Sequence, residues 1–458
     1  MSGSFTRRDF LGWSLGTGAA VWSGFPTVVP ASALGRGGWV APSARIRLGH
    51  IGVANQGTSN LKAFFGCKNS MTTAVCDVDR DHLAAAAALV EKTEGQARSC
   101  LTFGDYRKLI ESPEVDAVVV TTPDHWHALP VIDACAANKP VYVEKPLSLT
   151  ITEGRLMVQA ARRAGVAVQT GSQQRSDARF RLACELVRSG ALGRIESVIV
   201  GLPGVNFQGP AVADSPPPAQ LDYDFWLGPA PKRPYNAKRV HYNFRFFWDY
   251  SGGQLTNWGA HHLDIVQWAL GMDESGPLVV EAYADFHPEG WFEVPTRSHV
   301  TYEYAGGVTV RCVQGGKERH GVTFVGSQGT LFVDRNRIEA NPPELLRVEP
   351  TTRLTVSKNH HANWLEAIVE NRRPLCDVEI GHRSATVCHL GNLAIRTAIN
   401  RHFGEDYRDI GRVEWEPTTE TIVAFSGRPN PNSLLNRPYR QPWSLPSFDP
   451  SNRETTAS

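Results

Sequence analysis

The segment of residues 45–77 constrains the fold more than any other part of the chain, because it combines a predicted strand with a glycine-framed turn. Residues 45–51 are largely apolar, as a buried strand requires, and two glycines enclose the turn that follows. Gly52 permits the tight turn, small Ala54 lets backbone amides approach a pyrophosphate, and Gly57 lets a helix pack close to the strand. The pattern therefore predicts a dinucleotide-binding unit with cofactor contacts at Gly52, Ala54, Asn55, Gln56 and Gly57.

A carboxylate follows the second strand of this unit. Residues 72–76 form a short, mostly apolar run that ends at Asp77, about 20 residues after Gly57. Dinucleotide-binding units carry at this point the acid that accepts hydrogen bonds from the adenosine ribose. An acid also repels the 2′-phosphate of NADP, so NAD is the favoured cofactor and NADP the alternative. Asp79 is the other candidate for this role, and a solvent-exposed turn is the alternative interpretation of Asp77.

Helical and strand patterns continue to alternate in the chain after this unit. Residues 81–92 and 106–110 have helical patterns, and residues 115–121 form an apolar run typical of a parallel strand buried on both faces. The alternation predicts a doubly wound α/β Rossmann domain over residues 45–168. Ligands bind at the carboxyl ends of such strands. Further cofactor contacts are therefore predicted at Thr122, Pro123, His125 and His127.

The bulk composition argues against several classes of protein. The net charge is +1 over 458 residues, which gives no indication of nucleic-acid binding. The 8 cysteines include no CxxC pair, so neither a zinc site nor a redox dithiol is expected. Residues 411–458 are rich in Pro, Asn and Arg, and we predict that they form an irregular C-terminal extension.

Residues 1–33 have the pattern of an export signal of the twin-arginine (Tat) type. Arg7 and Arg8 precede a weakly apolar run, and residues 31–33 (ASA) form an A-x-A cleavage pattern. The run is too weak for a stable membrane span, and residues 34–44 are a predicted linker. A surface helix that begins with two arginines is the alternative. Because the Tat route moves folded proteins, we expect the Tat machinery as a partner, a periplasmic location and a tightly bound cofactor loaded in the cytoplasm.

Glu144 and Lys145 lie at the carboxyl end of the strand predicted over residues 140–143. From this position the Lys145 ammonium can point into the cofactor crevice and stabilise charge that develops on a substrate oxygen. Both residues are predicted cofactor contacts, and Lys145 is also a candidate for catalysis and substrate binding. A surface lysine is the alternative.

The sequence EKP at residues 144–146 of such a domain resembles a motif of the Gfo/Idh/MocA oxidoreductase family. The resemblance extends over nearly the whole chain after the signal, to residues 122–127 (TPDHWH), 171–175 (GSQQR), 226–231 (WLGPAP) and 252–262 (GGQLTNWGAHH). The later blocks look like those of exported bacterial members. The resemblance implies sugar or polyol dehydrogenase activity and an α+β second domain, here residues 169–410. In the family this domain has an open, mostly antiparallel sheet that often forms a homo-oligomer interface.

In this family the lysine acts with an aspartate and a histidine from a D-x-x-x-H stretch of the second domain. The matching positions are Asn257 and His261, which one helical turn would place on a common face. The resemblance implies that His261 is the general base, whereas Asn257 can bond a substrate hydroxyl but cannot ionise. A packing histidine is the alternative. His262 and Asp264 raise a metal interpretation through the spacing His261-x-x-Asp264, but no further ligand cluster accompanies them in sequence and the redox chemistry needs none, so no metal is predicted.

Residues 241–250 (HYNFRFFWDY) combine aromatic rings with a few polar groups. Sugar sites pair apolar ring faces with directional hydrogen bonds to hydroxyls. Packing between the two domains is the alternative for these residues. The predicted substrate contacts are Lys145, His241, Arg245, Trp248, Asn257 and His261.

The sequence supports three hypotheses about function. The leading one is an NAD(P)-dependent oxidoreductase that transfers hydride between a nicotinamide cofactor and a hydroxyl of a sugar, sugar derivative or polyol. The second, implied by the family resemblance, is a glycoside hydrolase in which tightly bound NAD oxidises the sugar transiently and is regenerated. The third is a non-catalytic sugar-binding relic, and Asn257 in place of the family aspartate motivates it.

Overall fold

The computed structural model of the chain describes residues 44–94, 99–207, 209–398 and 410–446. The predicted export signal and all but the last residue of the predicted linker lie outside these ranges. Within them, no helix is long and apolar enough to cross a membrane.

Six strands form the first sheet: β1 (Ile46–Ile51), β2 (Ser70–Cys76), β3 (Leu101–Phe103), β4 (Ala117–Val120), β5 (Val141–Val143) and β6 (Val168–Thr170). All neighbouring strands are parallel, in the order β3-β2-β1-β4-β5-β6. The order reverses between β1 and β4, where loops leave the two strands in opposite directions and open a crevice. The doubly wound α/β prediction is confirmed. The sheet includes β6, so it extends two residues beyond the predicted domain end at residue 168.

Five helices connect these strands: α1 (Gln56–Phe65), α2 (Arg80–Glu94), α3 (Tyr106–Glu111), α4 (Ala128–Ala136) and α5 (Ile151–Ala164). All four residues of β4 are buried, as the apolar run predicted. Helix α5 begins with a capping box, in which Thr150 and Glu153 each accept a hydrogen bond from the backbone of the other.

Nine strands form the second sheet: β7 (Ile195–Leu202), β8 (Val279–Asp285), β9 (Arg297–Glu303), β10 (Thr309–Gln314), β11 (Gly321–Gly326), β12 (Gly329–Asp334), β13 (Arg337–Asn341), β14 (Gly411–Glu416) and β15 (Thr421–Ser426). Their order is β13-β12-β11-β7-β10-β9-β8-β14-β15. The pairs are antiparallel apart from β7 and β10, which run parallel. The sheet is thus mostly antiparallel, as expected.

The prediction that residues 411–458 are irregular is wrong for the first part of this segment. Strands β14 and β15 pair with each other, and β14 pairs with β8, so the segment extends the second sheet. The side chains of β14 alternate: Val413 and Trp415 are buried, and the residues between them are partly exposed. This alternation is a strand signal, but it lies beside a longer Pro-rich run that dominated the composition of the segment.

Six helices accompany the second sheet: α6 (Ala178–Arg188), α7 (Tyr223–Leu227), α8 (Gly253–Asn257), α9 (Gly259–Leu270), α10 (His360–Val369) and α11 (Val378–Thr397). Helices α9 and α11 contribute Leu263 and Leu390 to a core shared with strands of the sheet. Helix α10 instead packs on the first sheet, where Trp364 and Leu365 contact the cluster around Leu48. Because α10 comes after residue 168 in the chain but packs on the first sheet, a single boundary at this residue does not separate the two domains in space.

The chain after β15 lies against the first domain. Arg437 and Tyr439 both donate to Glu153 at the start of α5. The indole of Trp443 packs edge-on against Trp126, with ring centroids 4.8 Å apart. These contacts attach the C-terminal segment to the loop that follows β4.

A partly buried ion-pair cluster joins α5 to the second domain. Arg155 donates to Glu379 of α11 and to Glu420 before β15, with N···O distances of 2.6 Å to each. Burial alone would raise the pKa of Glu379, but hydrogen bonds from Arg155 outweigh it and lower the pKa to about 2. This depressed pKa means that the pair stabilises the fold fully above about pH 4.3, the pKa of an unfolded glutamate. The contribution declines as the pH falls toward 2.

We expect Arg155→Met to lower the free energy of unfolding by about 2 kcal/mol at pH 7, because it removes charged hydrogen bonds to Glu379 and Glu420. The two carboxylates keep their pairs with Arg383, so the loss is smaller than that of a lone pair. The difference from the wild type should shrink as the pH falls from about 4.3, where the carboxylates begin to take up protons. Urea unfolding followed by circular dichroism at several pH values measures both effects. Equal stability of the two proteins at pH 7 would contradict this assignment.

Candidate active site

The glycine-framed turn lies at the crevice between β1 and β4. Gly52 has φ +78°, and a Cβ there would lie 2.6 Å from the backbone oxygen of Thr121. A Cβ at Gly57 would lie 2.1 Å from the backbone oxygen of Gly52. Only glycine therefore allows these three backbone segments to approach one another. The side chain of Asn55, at the start of α1, makes no capping hydrogen bond to the helix.

A cleft begins at this turn and ends against the second domain. It has a volume of about 230 Å³. Its first-domain wall comes from the loops after β1, β2, β4 and β5, and its other wall comes from residues 226–257 of the second domain. We call it the cofactor cleft; its lining includes Gly52, Ala54, Asn55, Gln56, Asp77, His82, Thr122, Pro123, Asp124, Glu144, Lys145, His241, Arg245, Ser251 and Asn257.

The structure separates the two candidate acids at the end of β2. Asp77 lines the cofactor cleft, and its carboxylate accepts hydrogen bonds from the amides of Val53 and Asp79 at 3.0 and 2.9 Å. The Asp79 carboxylate is buried and caps α2 by accepting the amide of Asp81. Asp77 is therefore better placed for the ribose role.

The residues of the cleft suit a dinucleotide. The start of α1 faces the cleft through Asn55 and Gln56, and the amides at a helix N-terminus are suited to a pyrophosphate. An apolar slot of about 50 Å³ lies beside Asp77, between Val78 and Pro123, and is shaped by rings including Tyr106 and Phe225. Such a slot is suitable for a planar base next to the acid that binds its ribose.

Two of the predicted cofactor contacts, His125 and His127, lie outside the lining of the cofactor cleft. His125 is buried and its Nε2 lies 2.9 Å from the backbone oxygen of Trp226. His127 is also buried and bridges the backbone oxygens of Thr122 and Pro146. Neither lines the cofactor cleft, whereas Thr122 and Pro123 do, and both histidines hold the loops after β4 and β5 in position. The contact of the two histidines with the cofactor stays a prediction.

Glu144 and Lys145 meet the second domain at the inner end of the cleft. Asn60 of α1 donates to Glu144 at 3.1 Å, and burial raises the pKa of this carboxyl. The Lys145 Nζ donates to both the backbone oxygen and the side-chain oxygen of Asn257, at 3.1 Å each. Burial also lowers the pKa of Lys145, and the carboxylates of Glu144 and Asp124 oppose this effect.

Asn257 and His261 belong to two consecutive helices. Asn257 is the last residue of α8, where it donates to Gln254 at 3.0 Å, and His261 lies in the first turn of α9. His261 is 8% exposed, and its Nδ1 has no hydrogen-bond partner among the described residues. Burial, with the cations of Lys145 and Arg335 nearby, holds the pKa of His261 well below its usual value. These effects keep the imidazole neutral and also weaken it as a base, so a general-base role depends on the unpaired Nδ1 rather than on the pKa.

The predicted substrate contacts fall into three groups: Lys145, His241, Arg245 and Asn257 line the cofactor cleft, Trp248 lines a separate cavity, and His261 lines neither. His241 and Arg245 line the cofactor cleft, and the Arg245 guanidinium lies 4.0 Å from the ring centroid of Tyr242. Trp248 does not line it. The indole faces a separate cavity, where the Arg396 guanidinium lies 5.1 Å from its centroid. Trp248 therefore lies apart from the cleft that Arg245 lines, and its role as a substrate contact stays a prediction.

Asp124 and Ser251 are cleft residues that the sequence analysis missed. The Ser251 hydroxyl donates to Asp124 at 2.5 Å, and burial raises the pKa of this carboxyl. Asp124 belongs to the TPDHWH segment, so its position after β4 was the available signal. Its partner Ser251 is distant in sequence, and no local pattern links the two.

Fold and cleft together define a nucleotide-binding α/β protein with titratable groups at the junction of two domains. Residues 46–172 match the model of the oxidoreductase family with an NAD-binding Rossmann fold. Residues 185–445 match the model of the C-terminal alpha/beta domain of the same oxidoreductase family. The chain therefore belongs to the Gfo/Idh/MocA oxidoreductase family, and NAD is the cofactor for which its first domain is built.

Curated relatives resemble part of the chain. A glycosyl hydrolase family 109 protein 1 of Shewanella sp. (strain ANA-3) is 28% identical over 37% of this chain and 38% of its own length. A myo-inositol 2-dehydrogenase of Thermotoga maritima is 31% identical over 32% of this chain and 42% of its own length. An alpha-N-acetylgalactosaminidase of Shewanella oneidensis is 30% identical over 30% of this chain and 31% of its own length. The matches thus span less than half of these relatives.

Solved structures share the fold over most of the chain. The WlbA dehydrogenase from Bordetella pertussis, in complex with NADH and UDP-GlcNAcA, has a TM-score of 0.57 at 21% identity. The match covers 76% of this chain and 96% of that one. The aldose-aldose oxidoreductase from Caulobacter crescentus, complexed with glycerol, has a TM-score of 0.57 at 20% identity and covers 75% and 96% of the two chains.

We expect Asp77→Ala to weaken NAD binding roughly 10- to 100-fold, because hydrogen bonds to a charged acceptor are lost. NADP binding should weaken less or improve, since the carboxylate no longer repels the 2′-phosphate. Quenching of protein fluorescence by each nucleotide measures both affinities. Asp79→Ala is the matched control, and a larger loss of NAD binding in that variant would reassign the ribose role to Asp79.

Proposed function

We propose that the protein is an NAD(P)-dependent oxidoreductase that transfers hydride between the nicotinamide cofactor and a hydroxyl of a sugar, sugar derivative or polyol. The observation that carries the proposal is the position of Lys145. Its ammonium lies at the inner end of the cofactor cleft, 3.1 Å from Asn257 of the second domain. A cation between the cofactor domain and a wall of polar side chains is suited to a substrate oxygen. The match to a myo-inositol 2-dehydrogenase supports a polyhydroxylated substrate.

The residues of the chain divide the remaining work among them. NAD, when bound, supplies the acceptor or donor of the hydride. Lys145 would exchange a contact with Asn257 for one with the reacting oxygen and stabilise the charge that develops there. His261 would accept the hydroxyl proton, because a neutral imidazole has a free nitrogen for it. Asn257, His241 and Arg245 would orient the other hydroxyls.

A panel of sugars and polyols tests this proposal. The full-length protein, with its resident cofactor and then with added NAD, is mixed with each compound, and absorbance at the reduced-nicotinamide band is followed. We expect at least one compound to reduce the cofactor. If NAD binds but no sugar or polyol changes this absorbance, and no reduced cofactor is reoxidised by an oxidised sugar, the oxidoreductase proposal fails.

The second candidate is a glycoside hydrolase with internally recycled NAD. Its support is the match to a glycosyl hydrolase family 109 protein and to an alpha-N-acetylgalactosaminidase. Such a reaction releases a leaving group without net redox change. Release of nitrophenol from nitrophenyl glycosides, at constant reduced-nicotinamide absorbance, would favour the hydrolase over the dehydrogenase.

We also propose export by the Tat route, a periplasmic location and a resident cofactor. The support is the Arg7-Arg8 pair with the cleavage pattern at residues 31–33. Cell fractionation tests the location, because replacement of both arginines by lysine should retain the protein in the cytoplasm. Periplasmic accumulation of that variant at the wild-type level would contradict Tat dependence.

A homo-oligomer is the final part of the proposal. The second sheet buries alternate residues of β8 and β9 on one face, whereas the residues between them remain partly or fully exposed. On that exposed face, the rings of Tyr283 and His299 stack at 5.2 Å. We expect two copies to pair through this face. Light scattering of the purified protein gives the mass, and a monomer at micromolar concentration would contradict the proposal.

A further inference from the structure

Three side chains that are distant in sequence converge beside α9. His262 lies in this helix, His320 directly precedes β11, and Asp334 ends β12. Their ligand atoms all lie within 4.8 Å of one another. His320 Nδ1 is 3.3 Å from one oxygen of Asp334, and His262 Nε2 is 4.0 Å from the other. We call this group the His-His-Asp cluster.

The cluster contains buried polar atoms that have no hydrogen-bond partner. His262 is 0% exposed, yet neither of its ring nitrogens has such a partner among the described residues. The same holds for Oδ1 of Asp334, which is the oxygen nearest to His262. Leaving a buried polar atom without a partner is costly, so native proteins nearly always supply one. Two such atoms that point toward each other across 4.0 Å therefore indicate a ligand between them.

We propose that the His-His-Asp cluster binds one divalent transition-metal ion, with zinc as the ion of choice. Two imidazoles and a carboxylate form a donor set that zinc and neighbouring first-row metals accept. Three side chains leave at least one coordination position for water. His320 and Asp334 are partly exposed, with 34% and 22% of their side chains accessible, so an ion can enter from solvent.

The surroundings hold the ring ligands but also oppose the charge of an ion. The indole of Trp258 stacks on His262 at 5.9 Å and meets His320 edge-on at 4.5 Å. This packing fixes the orientation of both rings, as supporting contacts do at metal sites. The Arg335 guanidinium lies over the indole of Trp258, 4.6 Å from the ring centroid. The charge of this guanidinium lowers the affinity of the cluster for a cation. For an ion to bind, its attraction to the Asp334 carboxylate and the two imidazoles must exceed its repulsion by Arg335.

A second group of two histidines and an aspartate lacks this evidence and provides the control. Asp79, His82 and His241 also lie within ligand distance of one another. However, one oxygen of Asp79 already accepts the amides of Asp81 and His82. None of the three has a buried polar atom without a partner. This group also borders the cofactor cleft, whereas the His-His-Asp cluster lies outside its lining.

Zinc titration of the full-length protein tests the proposal. The protein is dialysed against EDTA and then against buffer, and Zn²⁺ is titrated in competition with a chromophoric chelator. We expect one equivalent of bound zinc per chain, and Co²⁺ in its place should give a visible absorption band. His320→Ala and Asp334→Ala should each lose this equivalent, because each removes a ligand at a partly exposed position. His82→Ala should retain it.

Separate measurements on the same samples keep the result decisive. NAD binding by His320→Ala and Asp334→Ala, and the melting temperature of all three variants without metal, report whether each variant is folded. His82 lines the cofactor cleft, so only the melting temperature is used for His82→Ala. The proposal is overturned if the wild type binds neither Zn²⁺ nor Co²⁺. It is also overturned if folded His320→Ala and Asp334→Ala retain the equivalent, or if only His82→Ala loses it. Failure of NAD binding alone would instead count against the proposed oxidoreductase function.

Discussion

Replacing Lys145 with methionine is expected to lower the rate of cofactor reduction, measured at saturating NAD, by a factor of about 10² to 10³. The ammonium is the cation that lies between the cofactor cleft and Asn257, and its loss removes one charged donor to the reacting oxygen. Removal of a single donor of this kind costs on the order of 10² to 10³ in turnover. The rate is measured with the sugar or polyol that gives the largest signal in the panel.

A second lysine at the other end of the same strand provides the control. Lys139 lies two residues before the start of β5 and donates to the backbone oxygen of Ser112, and it does not line the cleft. Lys139→Met should therefore leave the rate within a factor of about 2. If Lys145→Met retains the wild-type rate with the same substrate, the lysine does not act on the reacting oxygen. The non-catalytic hypothesis would then gain if His261→Ala also changed no measurable activity.

Replacing Arg175 with methionine is expected to lower the free energy of unfolding by about 3–5 kcal/mol. The Arg175 guanidinium is 1% exposed and forms two hydrogen bonds from Nε and Nη2 to Asp264 of α9, whose side chain is also 1% exposed. It also pairs with Asp273 at 2.8 Å. Removing one partner of a buried pair leaves the other charge without compensation, which is the source of the large cost. Chemical denaturation measures it.

Two further variants separate the loss of the pair from the loss of an arginine. Arg179, four residues after Arg175, forms a partly exposed pair with Asp177. Arg179→Met should therefore cost less than about 1 kcal/mol. The double variant Arg175→Met with Asp264→Leu removes both charges and should regain most of the lost stability. Equal costs for Arg175→Met and Arg179→Met would show that burial of the Arg175 pair contributes nothing. Since α9 carries His261, the single variant should also misplace that imidazole and lower the rate.

The first domain was largely predictable because its signals are local. A glycine turn, an acid at the end of β2 and a fully buried β4 each follow from a few consecutive residues. Steric limits at Gly52 and Gly57 leave little freedom for the backbone there. The contact between Lys145 and Asn257 joins distant segments, and only the family resemblance brought these two residues together before the structure did.

Other parts of the site depend on contacts between distant segments, and no local pattern encodes them. The sequence places His125 at a ligand-binding edge, but only the arrival of Trp226 from the second domain shows that its ring is bonded to backbone. Trp248 lies in the same aromatic run as Arg245, yet a turn sends it to another cavity. The pairing of Asp124 with Ser251 crosses the domain junction in the same way.

The identity of the nucleotide carried by the protein tests the central claim most directly. The full-length chain is purified without added cofactor and denatured, and the released small molecules are identified by mass. We expect NAD in close to one equivalent per chain, because the glycine turn, Asp77 and the apolar slot beside it form a site for this dinucleotide. Release of NADP instead would reassign the role of Asp77. If no dinucleotide co-purifies and neither NAD nor NADP binds when added, the claim is contradicted.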